Sequence, residues 1–303
     1  MSSSFCYAEL PQAGLGNRLL VWGRALLFAR MNGLPLLVSS WQGKSWWRRL
    51  SGNADQRRYN GYFTDTDSLR GLQRWRILRT SSRVVEPPLQ KLPSGFRQQG
   101  TLYVFNELPH WSDYFGDLRA DRNTIKAELS AMLTAPYREQ LAKLTPPVIG
   151  IHVRLGDFRP LREGEDFAKV GHVRTPLDYF RHIIEGVREV HGSILPVTIF
   201  SDGSDEELRP LTDLPDVHRS GQNSAIIDLL LLAQSRLVVA SPGSTFSGWA
   251  GFLADAPFLL HPDHVHAPIR PDEVNNRFFE GGVTGPISSW SSLLLRNIRE
   301  IEA

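Results

Sequence analysis

The sequence predicts an α/β protein built from two Rossmann-like domains that face a cleft. Between residues 148 and 302, strand-like and helix-like segments alternate, which is typical of a doubly wound parallel sheet. A strand–loop–helix–strand unit also opens the chain. Two consecutive prolines, Pro146 and Pro147, block helix formation and mark a linker. We therefore expect an N-terminal domain at residues 1–145 and a C-terminal domain at residues 146–303.

The opening unit is predicted from its apolar pattern. It comprises a short strand at residues 4–9, a helix at residues 18–31 with a broad apolar face, and a second strand after Gly33. Asn17 is placed to cap the helix, and Gly33 to end it. Residues 41–100 are rich in Trp, Arg, Gly and Ser, and their weak periodicity predicts no definite element.

The remaining elements are predicted from apolar runs bounded by polar or glycine-containing turns. The predicted strands are residues 101–105, 148–153, 196–200, a short run near 217, 236–240 and 257–260. The predicted helices are residues 121–133, 136–144, 176–190, 205–211, 224–234, 245–253 and 288–302.

Composition narrows the class of protein. Of 303 residues, 41% are hydrophobic and 22% charged, which indicates a globular chain rather than a disordered one. The single cysteine, Cys6, excludes an intrachain disulfide and fits a reducing compartment. The first residues lack the basic and apolar regions of a signal peptide, and no apolar run reaches the roughly 18 residues that span a bilayer. We expect a cytoplasmic, bacterial-style protein.

The positive charge is concentrated in one segment. Residues 44–83 hold ten Lys and Arg residues against three Asp. Such a segment fits an anionic membrane surface, a lipid diphosphate or a nucleic acid, and a solvated, partly helical surface is the alternative that we prefer to a nucleic-acid site. Because no nucleic-acid-binding motif accompanies it, we expect no nucleic-acid partner, and we keep peripheral contact with the inner membrane face as a candidate role.

Four segments place residues suited to ligand binding directly after predicted strands. In open α/β sheets, ligands bind at the carboxyl ends of the strands. In the first, Gly14 and Gly16 precede the helix that Asn17 opens, so the backbone can approach an anionic ligand. The spacing does not match GxGxxG, so a dinucleotide fingerprint is excluded, and a plain turn is the alternative.

The second segment is GIHVRLGDF. A charged Arg154 at the end of a buried strand is costly unless it is paired, and either Asp157 or a ligand phosphate can pair with its planar fork. His152 is interpreted either as a core histidine with its hydrogen bonds satisfied or as a catalytic group.

The third and fourth segments lie further along the chain. Asp202 comes directly after a strand and can accept from a nucleoside base or ribose hydroxyl, unless it or Ser204 caps the next helix. The run from Ser241 to Phe246 places small hydroxylated residues before a helix. Their hydroxyls and the first amides of the helix together form a suitable anion-binding site. Asp228, early in an apolar helix, either caps a neighbouring turn or faces the cleft.

Other chemistries are excluded. His261, His264 and His266 lack a fourth spaced ligand, so we expect no metal site. The chain has no GxxxxGK[ST] phosphate loop and no GxSxG elbow.

Together, and in this order, the four segments resemble those of the GT-B fucosyltransferases related to the α1,2-, α1,6- and protein O-fucosyltransferases. GLGNRLLVWGRALLFARMNG is similar to the family's glycine loop and helix, HVRLGD to its HxRRxD motif, FSDG to its SDD strand end, and DLLLLAQSRLVVASPGSTFSGWAGFLA to its last motif. The resemblance covers the first 40 residues and much of 148–254. Leu155 replaces the second arginine of HxRRxD, and Gly203 replaces the second acid of SDD.

The resemblance implies an inverting, metal-independent glycosyltransferase without a cofactor, which moves L-fucose from GDP-fucose to a hydroxyl of a glycan. The basic segment adds a lipid-linked glycan as a candidate acceptor. The N-terminal domain would be on the acceptor side and the C-terminal domain on the GDP-sugar side. By position, Arg154 would bind the β-phosphate, Asp157 would hold the loop, and Asp202 and Asp228 would contact guanosine. The other donor-binding positions that it implies are Ser244, Thr245 and Phe246 around the phosphate and base, and Gly14, Gly16 and Asn17 near the sugar and acceptor.

The residues leave three questions open. The general base could be Glu163, Glu165 or Asp166 in the loop after HVRLGD, or His152. The two departures from the motifs leave another GDP-sugar, of mannose or rhamnose, as the alternative donor. A non-catalytic protein that binds a nucleotide or glycan is the alternative class.

Overall fold

A computed structural model describes residues 4–41, 59, 61–64, 69–93, 100–171, 173–264 and 266–302. The chain forms two compact units, each with its own parallel sheet, which confirms the α/β class. The first unit is Met1–His110 with Tyr114–Tyr137, and the second is Trp111–Asp113 with Arg138–Ala303. Half of the arginines and lysines of the basic segment lie outside the described residues.

The sheet of the first unit has four parallel strands in the described part of the chain, in the order β2-β1-β4-β3. The strands are β1 (Phe5–Ala8), β2 (Leu36–Val38), β3 (Ser82–Val85) and β4 (Thr101–Phe105). The helices are α1 (Leu15–Asn32), α2 (Gly71–Thr80), α3 (Gly116–Arg119), α4 (Arg122–Met132) and α5 (Ala135–Ala142), the last of which continues into the second unit.

Helix α1 begins earlier than its predicted cap. Gly14 occupies the N-cap position and Asn17 lies in the first turn, so the prediction that Asn17 caps the helix is wrong. The backbone turns into the helix at a residue without a side chain, and apolar burial of Leu15 extends the helix by a turn. The predicted end is confirmed, because Gly33 adopts a left-handed φ of 58° and donates its N–H to the last carbonyls.

Cys6 lies on β1, within the strand predicted at residues 4–9. Its side chain has no exposed surface, and the thiol donates to the Ala25 carbonyl over 3.3 Å. Burial raises the pKa of the Cys6 thiol far above its ordinary value.

The sheet of the second unit has six described parallel strands in the order β10-β9-β8-β5-β6-β7. The strands are β5 (Ile149–Val153), β6 (Val197–Ser201), β7 (Val217–Arg219), β8 (Leu237–Val239), β9 (Phe258–Leu260) and β10 (Glu280–Gly282). The helices are α6 (Leu177–His191), α7 (Asp205–Thr212), α8 (Ala225–Ala233), α9 (Thr245–Leu253), α10 (Asp272–Asn275) and α11 (Ser292–Arg299). Every residue of β5 is buried, as expected of a central strand covered on both faces.

A buried ion pair fixes the far edge of this sheet. The Arg270 side chain has no exposed surface, and its guanidinium pairs with Glu280 on β10 at 3.2 Å. The same guanidinium donates to the carbonyls of Ala256, Phe278 and Phe279. The sequence pattern predicts neither β10 nor α10. Two of the three residues of β10 are glycines, which carry no strand-forming side chain. The contacts of Arg270 hold this strand in place instead.

One further difference and one confirmed alternative concern the starts of helices. The predicted helix at residues 288–302 begins as α11 only at Ser292, after a 3₁₀ turn at Ile287–Ser289. Helix α7 is capped by Ser204, whose hydroxyl accepts from the Glu207 amide in a capping box, and not by Asp202. Among the described residues, no helix combines the length and apolar character needed to cross a bilayer.

Candidate active site

The polar segments of the second unit meet at the carboxyl edge of its sheet. Strand β5 lies between β6 and β8, and all three run parallel. The residues that come after Val153, Ser201 and Val239 are therefore neighbours in space although they are far apart in sequence. This edge is where ligands bind in open α/β sheets.

Arg154 is the first residue after β5 and makes ion pairs with two carboxylates. One terminal nitrogen pairs with Asp202, and the other lies 2.6 Å from Asp157 Oδ1. Its guanidinium also lies over the Phe158 ring, 5.9 Å from the centroid. About a quarter of the side chain, 27%, stays exposed. The arginine is therefore paired within the protein and still presents N–H donors to a ligand.

Asp202 connects the two loops that come after β5 and β6. Its Oδ1 accepts from the Leu155 amide at 2.9 Å and from the Gly156 amide at 3.0 Å, while Oδ2 pairs with Arg154. Burial disfavours the charged form, but the two amides and the guanidinium outweigh it and hold the pKa of Asp202 below its usual range. The carboxylate is therefore ionised at neutral pH.

Ser241 ties the segment after β8 to β5. Its hydroxyl donates to the His152 carbonyl at 2.7 Å and accepts from the Arg154 amide at 2.9 Å. The Ser241 amide in turn donates to the Ser247 hydroxyl at 3.1 Å. The two contacts of the hydroxyl fix the backbone on both sides of Val153, directly before Arg154.

His152 is buried below this network. Its Nδ1 shares a 2.6 Å hydrogen bond with Ser247 Oγ, and its ring lies 4.9 Å from the Phe246 ring. Burial, and secondarily the charge of Arg154, lowers the pKa of His152 to about 3. Because Ser247 Oγ already accepts an amide, it can donate its own proton to Nδ1, which fits a neutral imidazole. Burial and the hydrogen bond at Nδ1 agree with the interpretation of His152 as a core histidine.

The N-terminus of α9 lies at the same edge. The turn before the helix is made by Gly243, which takes a left-handed φ of 69°. Ser244 is the N-cap, and its side chain makes no capping hydrogen bond. Ser244, Thr245 and Phe246 are all partly exposed. The first amides of α9 are thus free of a cap from the Ser244 side chain and lie at the positive end of a nine-residue helix dipole.

Asp228 lies in the first turn of α8, beside the turn that precedes this helix. Its Oδ1 accepts from the Ser220 hydroxyl at 2.9 Å and from Asn223 Nδ2 at 3.1 Å. Burial raises the pKa of Asp228 above its ordinary value, although both hydrogen bonds oppose the shift. Within the described residues, Oδ2 accepts no hydrogen bond. Asp228 therefore holds its turn through one oxygen and keeps the other available.

The three general-base candidates in the loop after HVRLGD differ in their contacts. Glu165 forms two hydrogen bonds with Arg159, at 2.6 and 2.9 Å, and this pairing lowers the pKa of Glu165. Asp166 pairs with Lys169 and caps a 3₁₀ turn, and these contacts lower its pKa as well. Glu163 is exposed. The two paired carboxylates are weakened as bases, and no described residue holds Glu163 in this way.

Several residues that build the site were not predicted from the sequence. Ser247, Ser220 and Asn223 hold the predicted residues through hydrogen bonds. Arg174 fixes the loop after β5 by donating to the carbonyls of Leu155 and Phe158. The hydroxyl and amide side chains sit in ordinary helix and turn contexts, so their spacing carries no signal.

The remaining predicted residues lie elsewhere. Gly14, Gly16 and Asn17 belong to the first unit, at the start of α1. His261 packs against Phe167 and Tyr179, and His264 bonds to the Phe167 carbonyl, so these two histidines contact the loop after β5 and helix α6. No three potential metal ligands cluster among the residues that the structure describes.

Comparison with solved structures identifies the fold. The fucosyltransferase NodZ from Bradyrhizobium is 15% identical, with a TM-score of 0.53 over 84% of this chain and 95% of its own. The NodZ alpha-1,6-fucosyltransferase soaked with GDP-fucose is 17% identical, with a TM-score of 0.52 over 84% and 94%. The same enzyme co-crystallized with GDP gives the same values. These likenesses confirm the GT-B fold that the resemblance implied.

Comparison by sequence identifies the family. None of the curated proteins matches the chain. Residues 103–257, about half of the chain, match the model of glycosyl transferase family 11, and this segment contains Arg154, Asp202 and Asp228. The protein therefore belongs to glycosyl transferase family 11 and is a glycosyltransferase.

Proposed function

We propose that this glycosyltransferase moves L-fucose from GDP-fucose to a hydroxyl of a glycan acceptor, with inversion and without a metal ion. The observation that carries the proposal is the Arg154 guanidinium, partly exposed at the end of the central strand. The NodZ structures with GDP-fucose and with GDP, which share the fold, support a GDP-sugar as the donor.

The donor diphosphate is bound by two positive features. Two of the five N–H groups of Arg154 face carboxylates, and the other three have no acceptor among the described residues and can donate to phosphate oxygens. The N-terminus of α9 adds amide donors, and Ser241 links the two features. Negative charge develops on the diphosphate as the sugar leaves, so both features stabilise the transition state.

Guanine is recognised by Asp228. A guanine edge presents N–H donors, and the available Oδ2 of Asp228 is an acceptor for them, while Ser220 and Asn223 hold the other oxygen.

Glu163 is the proposed general base. The other carboxylates of its loop, Glu165 and Asp166, are engaged in ion pairs, and His152 is buried. An exposed carboxylate in this loop is therefore the group best placed to accept the proton of an acceptor hydroxyl.

The first test measures donor choice and the role of Arg154 together. Calorimetry should show binding of GDP over UDP and ADP, and product analysis should show transfer from GDP-fucose to a glycan panel. Arg154→Ala should lower kcat by roughly a hundredfold, as loss of a transition-state donor does. Arg236→Ala is the matched control, because Arg236 lies directly before β8, at the opposite end of the strands from Arg154, and forms an exposed pair with Glu302.

Each other outcome has a definite meaning. Transfer from GDP-mannose or GDP-rhamnose, and not from GDP-fucose, would show that the donor is that other GDP-sugar. Binding of GDP without transfer from any donor would favour a binding protein. Full activity of Arg154→Ala would contradict the proposed site.

We also propose that α2 contacts an anionic membrane surface where a lipid-linked acceptor is presented. Ile77 packs toward the sheet, whereas Leu72 and Trp75 are 84% and 56% exposed. Arg76 and Arg79 share the exposed face by helical spacing, and the Arg79 guanidinium lies 5.3 Å from the Trp75 ring centroid. Exposed aromatic and apolar side chains beside arginines are typical of interfacial helices.

Vesicle sedimentation tests this contact. The protein should bind vesicles that contain phosphatidylglycerol and not neutral phosphatidylcholine vesicles, and binding should weaken with salt. The double change Arg76→Glu and Arg79→Glu should abolish it, while Arg236→Glu should not. Equal binding to both vesicle types would overturn the proposal.

A further inference from the structure

We propose that Asp202 acts on the donor through Arg154, as a positioning residue, and does not read the nucleoside. The inference rests on the proposed function, since it concerns how the GDP-binding site is built.

Both oxygens of Asp202 are engaged within the protein. Oδ1 accepts two backbone amides, those of Leu155 and Gly156, and Oδ2 pairs with the Arg154 guanidinium. Asp228 differs, because its Oδ2 accepts no hydrogen bond from a described residue. Within the described residues, therefore, Asp228 has an oxygen with no hydrogen-bond partner and Asp202 does not.

The packing around Asp202 fits it closely. A Cβ atom at Gly156 would lie 2.5 Å from Asp202 Oδ2, so only glycine leaves room for the carboxylate there. A Cβ atom at Gly203 would clash with Leu155 Cδ1. Leu155 and Gly203 are the two positions where the chain departs from the HxRRxD and SDD motifs. The Leu155 side chain packs into the space that the absence of a side chain at Gly203 leaves, so the two departures are complementary.

The pairing orients the arginine fork. Asp202 holds one terminal nitrogen of Arg154, and Asp157 holds the other. With both ends fixed, the plane of the guanidinium is set before the donor arrives, and less conformational entropy is lost on binding. Since about a third of the Asp202 side chain is exposed, 32%, the experiment must separate this role from direct contact.

Calorimetry with GDP and inosine diphosphate, which lacks the exocyclic amine of guanine, makes the separation. Asp202→Asn should weaken both nucleotides by the same factor, roughly tenfold, because it removes a charged hydrogen bond to Arg154. In the Arg154→Ala background the same change should have little further effect, since the two residues act as a unit. Asp216→Asn, a surface carboxylate of the same unit, is the control.

The opposite result is equally clear. If Asp202 contacts the base, Asp202→Asn will reduce the preference for GDP over inosine diphosphate, and its effect will add to that of Arg154→Ala. Should Asp202→Asn not fold, Asp202→Ser, which keeps an oxygen acceptor, takes its place in both measurements. If the wild-type protein binds neither nucleotide, the proposed function itself is wrong. A failure of the Asp202 assignment alone would leave nucleotide binding by the wild-type protein intact.

Discussion

The neutral state of His152 makes stability depend on pH. The folded-state pKa of His152 is about 3, against an ordinary value of 6.5. The unfolded chain therefore takes up the proton first as pH falls, so the stability tied to neutral His152 is complete above about pH 6.5 and is lost as pH falls toward 3. At pH 5, about 1.5 pH units into this window, the loss is about 2 kcal/mol.

Urea unfolding of wild-type protein and His152→Asn at about pH 7.5 and pH 5 measures this loss. Asparagine keeps a polar group near the position of Nδ1 and does not titrate. Wild-type protein should lose about 2 kcal/mol more than the variant between the two pH values. His218→Asn, at an exposed histidine, should behave as wild type. Parallel losses in wild type and His152→Asn would refute the reasoning.

Three further predictions concern packing, a buried charge and a helix cap. Gly203→Ala should destabilise the protein by about 1–3 kcal/mol through overpacking, and adding Leu155→Ala should relieve part of the clash, as measured by urea unfolding. Glu280→Ala should cost about 3–5 kcal/mol because it leaves a buried arginine unpaired, whereas Glu302→Ala, in an exposed pair, should cost at most about 1 kcal/mol. Ser204→Ala should lower the free energy of unfolding by about 1 kcal/mol, and no loss would contradict the capping role.

Most elements of the second unit could be predicted because burial follows a simple period. The run at β5 is buried at every residue, and α9 begins and ends where its apolar pattern does. Strand β10 could not be predicted, since Glu280 is its one residue with a side chain and the order comes from Arg270, ten residues earlier. Tertiary contacts of this kind leave no local pattern.

The candidate site could be predicted in its strand-end residues and not in its supporting contacts. Arg154 and Asp202 are charged residues directly after buried strands, and this context singles them out. Ser247 is a serine within an apolar helix, and its partner His152 lies 95 residues away. The start of α1 could not be predicted for a related reason, because Asn17 has the side chain of a cap but the backbone turns three residues earlier, at a glycine.

The buried thiol of Cys6 offers a built-in reporter. It is the single cysteine of the chain, it lies in the first unit, and its raised pKa suppresses the thiolate that reacts with labelling reagents. Labelling of native protein should therefore proceed only through opening of β1 and α1. Since each unit has its own core, the labelling rate follows opening of the first unit separately from the second.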